Sequence, residues 1–197
     1  MNILNLQKND ILDLTKKDPS LSRLLVGAGW DVATKKGGFF GLFSGESDYD
    51  LDLFALKLDE QGCLLPQGLV YFGNQTRPGI RLHGDNLTGE GEGDDEKISV
   101  DLQKLPSNCH RVVFGVAIYN AEGRGQHFGK VQNAYVRLVD EAKNGQEICR
   151  FNLTESGEGK TAIIMSELIK QNGDWSFKAI GDYCRASIRE ISSRYER

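Results

Sequence analysis

Short stretches in which apolar and polar residues alternate recur along much of the chain, and this pattern restricts the fold more than any other feature. Residues 48–59 show it most strictly, because Phe54, Leu56 and Leu58 occupy every second position. Several other stretches are joined by turn residues, including two Asn-Gly pairs, which are strong hairpin signals. Short strands separated by turns at intervals of about eight to twelve residues are typical of a sandwich. We therefore predict a mainly β fold, an antiparallel β-sandwich.

Only the C-terminal end of the chain has the spacing of a helix. Its apolar residues recur at i, i+4, i+7 and i+11, which places them on one helix face and leaves three arginines on the other. The apolar set is Cys184, Ile188, Ile191 and Tyr195. A chain of 197 residues is the usual length of one domain. We predict that residues 1–197 form one domain with a C-terminal surface helix.

Charge and hydropathy exclude several classes of protein. The formal net charge is −4 and the acids are concentrated in one segment, so the chain lacks the basic stripe that nucleic-acid binding needs. The first ten residues carry charged and amide side chains in place of the apolar core of a signal peptide. The most apolar run, residues 112–118, is much shorter than the roughly 20 residues of a membrane-spanning helix. We predict a cytoplasmic protein without a membrane span.

The cysteines agree with a reducing compartment. None of them forms a C-x-x-C pair, and scattered thiols of this kind are typical of the cytoplasm. They are Cys63, Cys109, Cys149 and Cys184. A zinc site that combines these thiols with a histidine stays open as an alternative, but no ligand spacing in the sequence favours it.

The most unusual segment is residues 84–96, GDNLTGEGEGDDE, which contains six carboxylates and four glycines and is followed by Lys97. Two carboxylates about 4 Å apart repel by about 4 kcal/mol at an effective dielectric constant of about 20, so a folded segment of this composition favours a bound cation. The glycines allow backbone carbonyls to turn inward, and a purely oxygen donor set suits calcium. The segment does not have the EF-hand spacing. A solvated acidic loop that binds nothing is the alternative.

Other oxygen donors are predicted at the same end of the fold. The strand after residue 23 is expected to stop at a glycine bend that delivers Asp31 to the metal. Asp50 and Asp52 share the face of Phe54, and we expect that face to point toward the core, where an unpaired charge is costly. Asn74 follows a short apolar strand and could offer a carbonyl oxygen.

Five motifs together resemble the TerD family of bacterial tellurite-resistance and general stress proteins. They extend over nearly the whole chain, and the long GDN-to-DDE motif is specific to the family. The motifs are Gly29-Trp30-Asp31, Tyr49-Asp50-Leu51-Asp52, residues 84–96, residues 128–134 and Gly173-x-Trp175-x-Phe177. One departure is Phe72-Gly73-Asn74, where the family usually ends the strand with Tyr-Asn-Asn or a similar sequence.

The resemblance implies a β-sandwich that binds two calcium ions and is not a known enzyme. It also implies a cytoplasmic stress system whose partners are paralogous TerD-family proteins and a membrane protein of the same operon. The ligand-bearing motifs of the family fall on a defined set of positions, with Asn74 in the place of a family asparagine. The others are Asp31, Asp50, Asp52, Asp85, Asn86, Asp94, Asp95 and Glu96.

Two other functions stay open from the residues alone. A metal-dependent hydrolase could use the acidic cluster, although His83 is the only imidazole beside it and no nucleophile is evident. A calcium-dependent membrane-docking module could insert the phenylalanines of residues 37–46, which are Phe39, Phe40 and Phe43. We expect a non-enzymatic interaction module whose partner binding depends on calcium.

Overall fold

The computed structural model describes residues 3–32, 49–83 and 93–196, and these residues form two β-sheets and two short helices. The strands are β1 (Leu4–Leu6), β2 (Ile11–Asp13), β3 (Arg23–Val32), β4 (Leu51–Leu58), β5 (Leu64–Val70), β6 (Thr76–Arg77), β7 (Ile80–Leu82), β8 (Glu96–Asp101), β9 (Arg111–Ile118), β10 (Val131–Asp140), β11 (Gln146–Asn152), β12 (Ala162–Gln171) and β13 (Asp174–Cys184). The two α-helices are α1 (Ala121–Arg124) and α2 (Ile188–Ser193), and Glu141–Lys143 form one turn of 3-10 helix between β10 and β11.

The two sheets enclose the main hydrophobic core, so the predicted β-sandwich is confirmed. One sheet has seven strands in the order β1-β11-β10-β3-β8-β7-β6, and the other has six in the order β2-β13-β12-β9-β4-β5. All pairings within them are antiparallel except that of β1 with β11. The first two strands supply one edge of each sheet, which fixes the N-terminal segment to both layers.

Both Asn-Gly turns join hairpins, as predicted. Asn144 and Asn172 have φ angles of 53° and 52°, a left-handed conformation that asparagine tolerates better than most residues. The first turn connects β10 to β11 and the second connects β12 to β13. Local sequence therefore determines these two pairings.

The prediction that Asp52 and Phe54 face the main core is wrong. Leu51, Leu53 and Ala55 of β4 face the other sheet, whereas Phe54 belongs to a second cluster on the outer face. That outer face is covered by the end of the chain, including Ile191 of α2. Both faces of β4 are buried, so alternation alone could not show which one lies between the sheets.

The glycine bend predicted before Trp30 is also wrong, because β3 continues through it to Val32. An added Cβ on Gly27 would lie 2.3 Å from an Asp94 carboxylate oxygen, and one on Gly29 would lie 2.5 Å from the ring of Tyr135. These glycines therefore make room for side chains that lie flat on the outer face of the seven-stranded sheet.

The C-terminal surface helix is confirmed but shorter than its apolar spacing indicates. Cys184 is the last residue of β13, and α2 begins after Ser187, whose side chain forms a capping box with Glu190. Ile188 and Ile191 are buried, so the inner face of the helix was predicted correctly.

Part of the predicted metal set lies outside the described residues, namely Asp85 and Asn86, as do the phenylalanines of residues 37–46. Residues 84–92 connect β7 to β8, which pair with each other. Among the described helices, none is long and apolar enough to cross a membrane. All four cysteines are free thiols.

Candidate metal centre

The end of β3, the residues just before β8 and the start of β10 meet at one end of the seven-stranded sheet. Ala28 of β3 pairs with Glu96 of β8, and Asp31 pairs with Gln132 of β10. The backbone N–H of Asp95 donates to the carbonyl of Ala28 at 2.9 Å, which extends the β3–β8 contact beyond β8. The sheet register therefore gathers acids that are far apart in the chain.

Asp95 is the most deeply placed acid of this group whose carboxylate faces the cleft. It is 7% exposed, and its Oδ2 accepts a 2.7 Å hydrogen bond from the backbone N–H of Trp30. Burial raises the pKa of Asp95, and the negative charges of Asp31 and Asp94 raise it further, although the Trp30 hydrogen bond opposes the shift. A bound cation would relieve both of the effects that raise this pKa.

Asp31 lies on the outer side of the same end and is exposed. Its Oδ2 accepts a 2.7 Å hydrogen bond from Nδ2 of Asn133. Asp31 and Asp95 both line a cleft of about 630 Å³, together with Asn133, Asn152 and Thr154. Arg150 also lines the cleft, and its guanidinium donates to Glu147. The polar side chains of this cleft thus supply carboxylate, amide and hydroxyl oxygens.

Asp94 has a different environment, although it is adjacent to Asp95. Its Oδ1 and Oδ2 accept hydrogen bonds from Nε and Nη2 of Arg137 at 2.7 and 2.8 Å, which is the two-pronged geometry of a strong ion pair. The hydroxyl of Tyr135 also donates to Oδ1 at 3.1 Å. The Asp94 side chain has no exposed area. In this arrangement both carboxylate oxygens are already engaged by protein donors.

Glu96 faces the space between the sheets and is 3% exposed. Its Oε2 accepts a hydrogen bond from the backbone N–H of Leu53 in β4. That N–H lies beyond the pairing of β4 with β5, which begins at Ala55. Glu96 therefore joins the acid-bearing end of the seven-stranded sheet to β4, directly beside the Asp52 backbone.

The remaining predicted ligands lie on the six-stranded sheet or next to it. Asp52 is 5% exposed and lines a second cleft with Tyr71, Phe72 and Tyr119, on the outer face of that sheet. Asp50 is half-buried. Asn74 is exposed, and its carbonyl accepts a 3.2 Å hydrogen bond from the N–H of Tyr71 in a tight turn. Of the described predicted ligands, Asp31, Asp94, Asp95 and Glu96 thus lie at one end of the seven-stranded sheet, and Asp31 and Asp95 line its cleft.

The donor chemistry of the first cleft fits a hard cation. Its carboxylate, amide and hydroxyl oxygens are the ligands that calcium accepts, and it contains no thiol or imidazole. Within residues 3–32, 49–83 and 93–196, no group of three or more His, Cys, Asp or Glu side chains is arranged to hold a metal ion. The described part of the cleft contributes two carboxylates, those of Asp31 and Asp95.

Sequence reasoning missed Arg137, the residue that neutralises Asp94. Arg137 pairs with Gly27 across the β3–β10 ladder, and Tyr135 pairs with Gly29. Two glycines at alternate positions of a long strand indicate that other groups approach the same sheet face closely. That spacing was the available signal, but without the strand pairing it did not identify Arg137.

The chain is thus a β-sandwich with acidic residues at one end. Comparisons with known proteins identify its family. A TerD domain family model matches residues 1–195. Stress response protein SCP2 of Bacillus subtilis is 40% identical over 197 residues, covering 98% of each chain. Tellurium resistance protein TerZ of Serratia marcescens is 41% identical over 185 residues, covering 93% of this chain and 91% of that protein. The chain belongs to the TerD family of tellurium resistance and general stress proteins.

A solved structure shares the architecture. The homologue of telluride resistance protein (TerD) from Streptomyces coelicolor A3(2) aligns with a TM-score of 0.68 and 21% identity, covering 88% of this chain and 96% of that one. At this level of identity the similarity supports the fold alone.

Proposed function

We propose that this protein is a calcium-binding, non-enzymatic stress-response protein that acts as a metal-dependent interaction module. The observation that carries the proposal is the environment of Asp95, a buried carboxylate whose pKa is raised by burial and by two neighbouring acids. A buried charge among like charges is costly unless an opposite charge is supplied. Its family membership agrees with a role in stress resistance.

Asp31 and Asp95 are the described residues that would bind the ion directly. Each uses one carboxylate oxygen in a short hydrogen bond within the protein, which fixes the orientation of the group before an ion arrives. Asp85 and Asn86 lie outside the described residues and stay predicted ligands, and so do Asp50, Asp52, Asn74 and Glu96. Asp94 differs from the other family ligand positions, because Arg137 engages both of its oxygens. The resemblance to the family supports two ions.

Isothermal titration calorimetry on protein freed of metal by a chelator tests the proposal. We expect heat on addition of calcium chloride and a higher melting temperature in its presence, because ligands that bind only the folded state stabilise it. Magnesium chloride should bind more weakly, because magnesium loses its water ligands reluctantly and demands a stricter octahedral geometry than calcium. Absence of heat and of any change in melting temperature would refute calcium binding.

A pair of variants tests where calcium binds. Asp95→Asn should abolish the calcium response, whereas Asp101→Asn should keep it, because Asp101 lies at the other end of β8 and pairs with Lys104. Equal calcium binding by both variants would place the ion elsewhere.

We also propose a cytoplasmic location and partners among paralogous TerD-family proteins and a membrane protein of the same stress system. The resemblance of the motifs to the family supports these partners, and several TerD-family proteins are known in one organism, Serratia marcescens. Pull-down with a purified paralogue in calcium and in chelator would test this. Capture that is the same in both conditions would contradict a metal-dependent interaction.

A further inference from the structure

We propose that Arg137 is a positioning residue for the calcium site: it anchors Asp94 to the outer face of the seven-stranded sheet and so fixes the direction in which Asp95 and Glu96 point. This inference rests on the proposed calcium binding, and it gives Asp94 a structural role in place of a ligand role. Arg137 itself need not touch the ion.

The side chains that anchor Asp94 come from β10 and β11 and are held by several contacts. Arg137 on β10 holds both oxygens of Asp94 at 2.7 and 2.8 Å, and its Nη1 donates to Glu147 of β11 at 2.9 Å. Arg150 of β11 donates from Nε to the other oxygen of Glu147 at 2.9 Å. The Arg150 guanidinium also lies 4.3 Å from the centre of the Tyr135 ring. The guanidinium of Arg137 is thereby fixed from two sides.

The sheet surface under Asp94 is shaped to receive it. Gly27 has no Cβ, and a Cβ there would lie 2.3 to 2.6 Å from the three atoms of the Asp94 carboxylate group. Tyr135 completes the contact, because its hydroxyl donates to Oδ1 of Asp94 at 3.1 Å. Contacts with Gly27, Tyr135 and Arg137 therefore hold the Asp94 side chain in one position.

Three consecutive acids then point in three directions. Asp94 lies on the outer face, Asp95 turns to the backbone N–H of Trp30, and Glu96 reaches the backbone N–H of Leu53 between the sheets. Since adjacent residues share one backbone, fixing Asp94 limits the conformations open to Asp95. Loss of the anchor would let the Asp95 carboxylate leave the cleft.

Calcium titration of two arginine variants tests the anchor. We expect Arg137→Gln to weaken calcium binding about tenfold, the usual size of effect for a residue that supports a metal ligand from behind. Arg111→Gln is the matched control, because Arg111 forms a comparable pair with the buried Glu167 on the other sheet, with Nε 3.0 Å from Oε2. The control should lower the melting temperature without changing calcium affinity, and equal losses of affinity in both variants would overturn the proposal.

The role of Asp94 is tested in the same background. If Asp94 acts only through Arg137, then Asp94→Asn should weaken calcium binding about as much as Arg137→Gln, and the double variant should be no weaker than either. A double variant much weaker than Arg137→Gln would show that Asp94 binds the ion itself and would overturn the proposal.

Hydrogen exchange of the calcium-free protein separates failure of the anchor from failure of calcium binding. The amide of Trp30 donates to Asp95, so Arg137→Gln should speed its exchange about tenfold while Arg111→Gln leaves it unchanged. The exchange measurement needs no metal. Unchanged exchange in Arg137→Gln would overturn the anchor even if calcium binds, and faster exchange would support it even if calcium does not.

Discussion

Two buried acids, Glu167 on the six-stranded sheet and Asp95 at the end of the seven-stranded sheet, differ in the charges around them. Glu167 is 3% exposed and has Arg111 beside it and the Lys178 ammonium at 3.9 Å. Asp95 is 7% exposed, and the charges that raise its pKa are those of Asp31 and Asp94. The first acid is balanced by the fold, whereas we propose that a bound cation balances the second. Burial of an acid therefore indicates a ligand site only where the neighbouring charges are also negative.

Removal of the balancing arginine should have the largest effect on stability. Arg111→Ala leaves the buried Glu167 with Lys178 as its remaining nearby cation, and we expect a loss of about 3 kcal/mol in the free energy of unfolding. Urea unfolding of the parent and of Arg111→Ala measures this loss. Lys104→Ala, which removes an exposed partner of Asp101, should change stability by less than about 0.5 kcal/mol. A similar result for both variants would remove the contrast on which the comparison depends.

Replacement of Asp95 should show the opposite behaviour in the absence of metal. Asp95→Asn removes a buried charge that has negative neighbours, so the calcium-free protein should be as stable as the parent or more so. At a calcium concentration about 100 times the dissociation constant, we expect the parent to gain about 2.7 kcal/mol in the free energy of unfolding and the variant to gain nothing. Thermal melts with calcium and with chelator measure both quantities. A strongly destabilised calcium-free variant would show that Asp95 is balanced by the fold, like Glu167.

One methyl group added at Gly27 should disrupt the close contact between Asp94 and β3. Gly27→Ala places a Cβ within 2.3 Å of the Asp94 carboxylate, and we expect a cost of about 2 kcal/mol from overpacking. Urea unfolding of Gly27→Ala in an Asp94→Ala background should show a much smaller cost, because the clash is gone. An equal cost in both backgrounds would mean that the strain arises elsewhere in β3.

The smallest effect is expected at a solvent-exposed pair. Lys143 and, to a lesser extent, Ser20 lower the pKa of Asp18 to about 2, below the ordinary value of 3.8. The ionised Asp18 therefore stabilises the fold above about pH 4, and this contribution disappears as the pH falls toward 2. The urea midpoint of Asp18→Asn should be slightly below that of the parent at pH 5 and equal to it near pH 2. A difference that grows on acidification would have the wrong sign.

Much of the fold could be predicted because it depends on local pattern. The hairpins at Asn144 and Asn172 form from turn residues whose left-handed conformation is encoded locally. The faces of β4 could not be assigned in the same way, since α2 buries the second face from far along the chain. The glycines of β3 were predicted to form a bend, because the sequence does not show which distant residues contact them. Their role depends on Asp94 and Tyr135, which reach them only after the strands pair.

The candidate site was predicted in part. The sequence indicates Asp31 and Asp95 through an acidic segment and a family motif, and the structure places both at one cleft. It also indicates Asp94, but gives no sign that Arg137 engages both of its oxygens, because that contact joins residues 43 positions apart. Composition locates an excess of negative charge, whereas only the strand register shows which of those charges the protein itself neutralises.

Anomalous diffraction from a crystal soaked in calcium chloride is the most direct test of calcium binding at the cleft of Asp31 and Asp95. Calcium binding at this cleft predicts a difference peak within about 2.3 to 2.6 Å of carboxylate oxygens of Asp31 and Asp95, the usual calcium–oxygen distance. It also predicts that Asp94 remains on Arg137. A map with no peak near Asp31 and Asp95 at saturating calcium would refute calcium binding at this cleft.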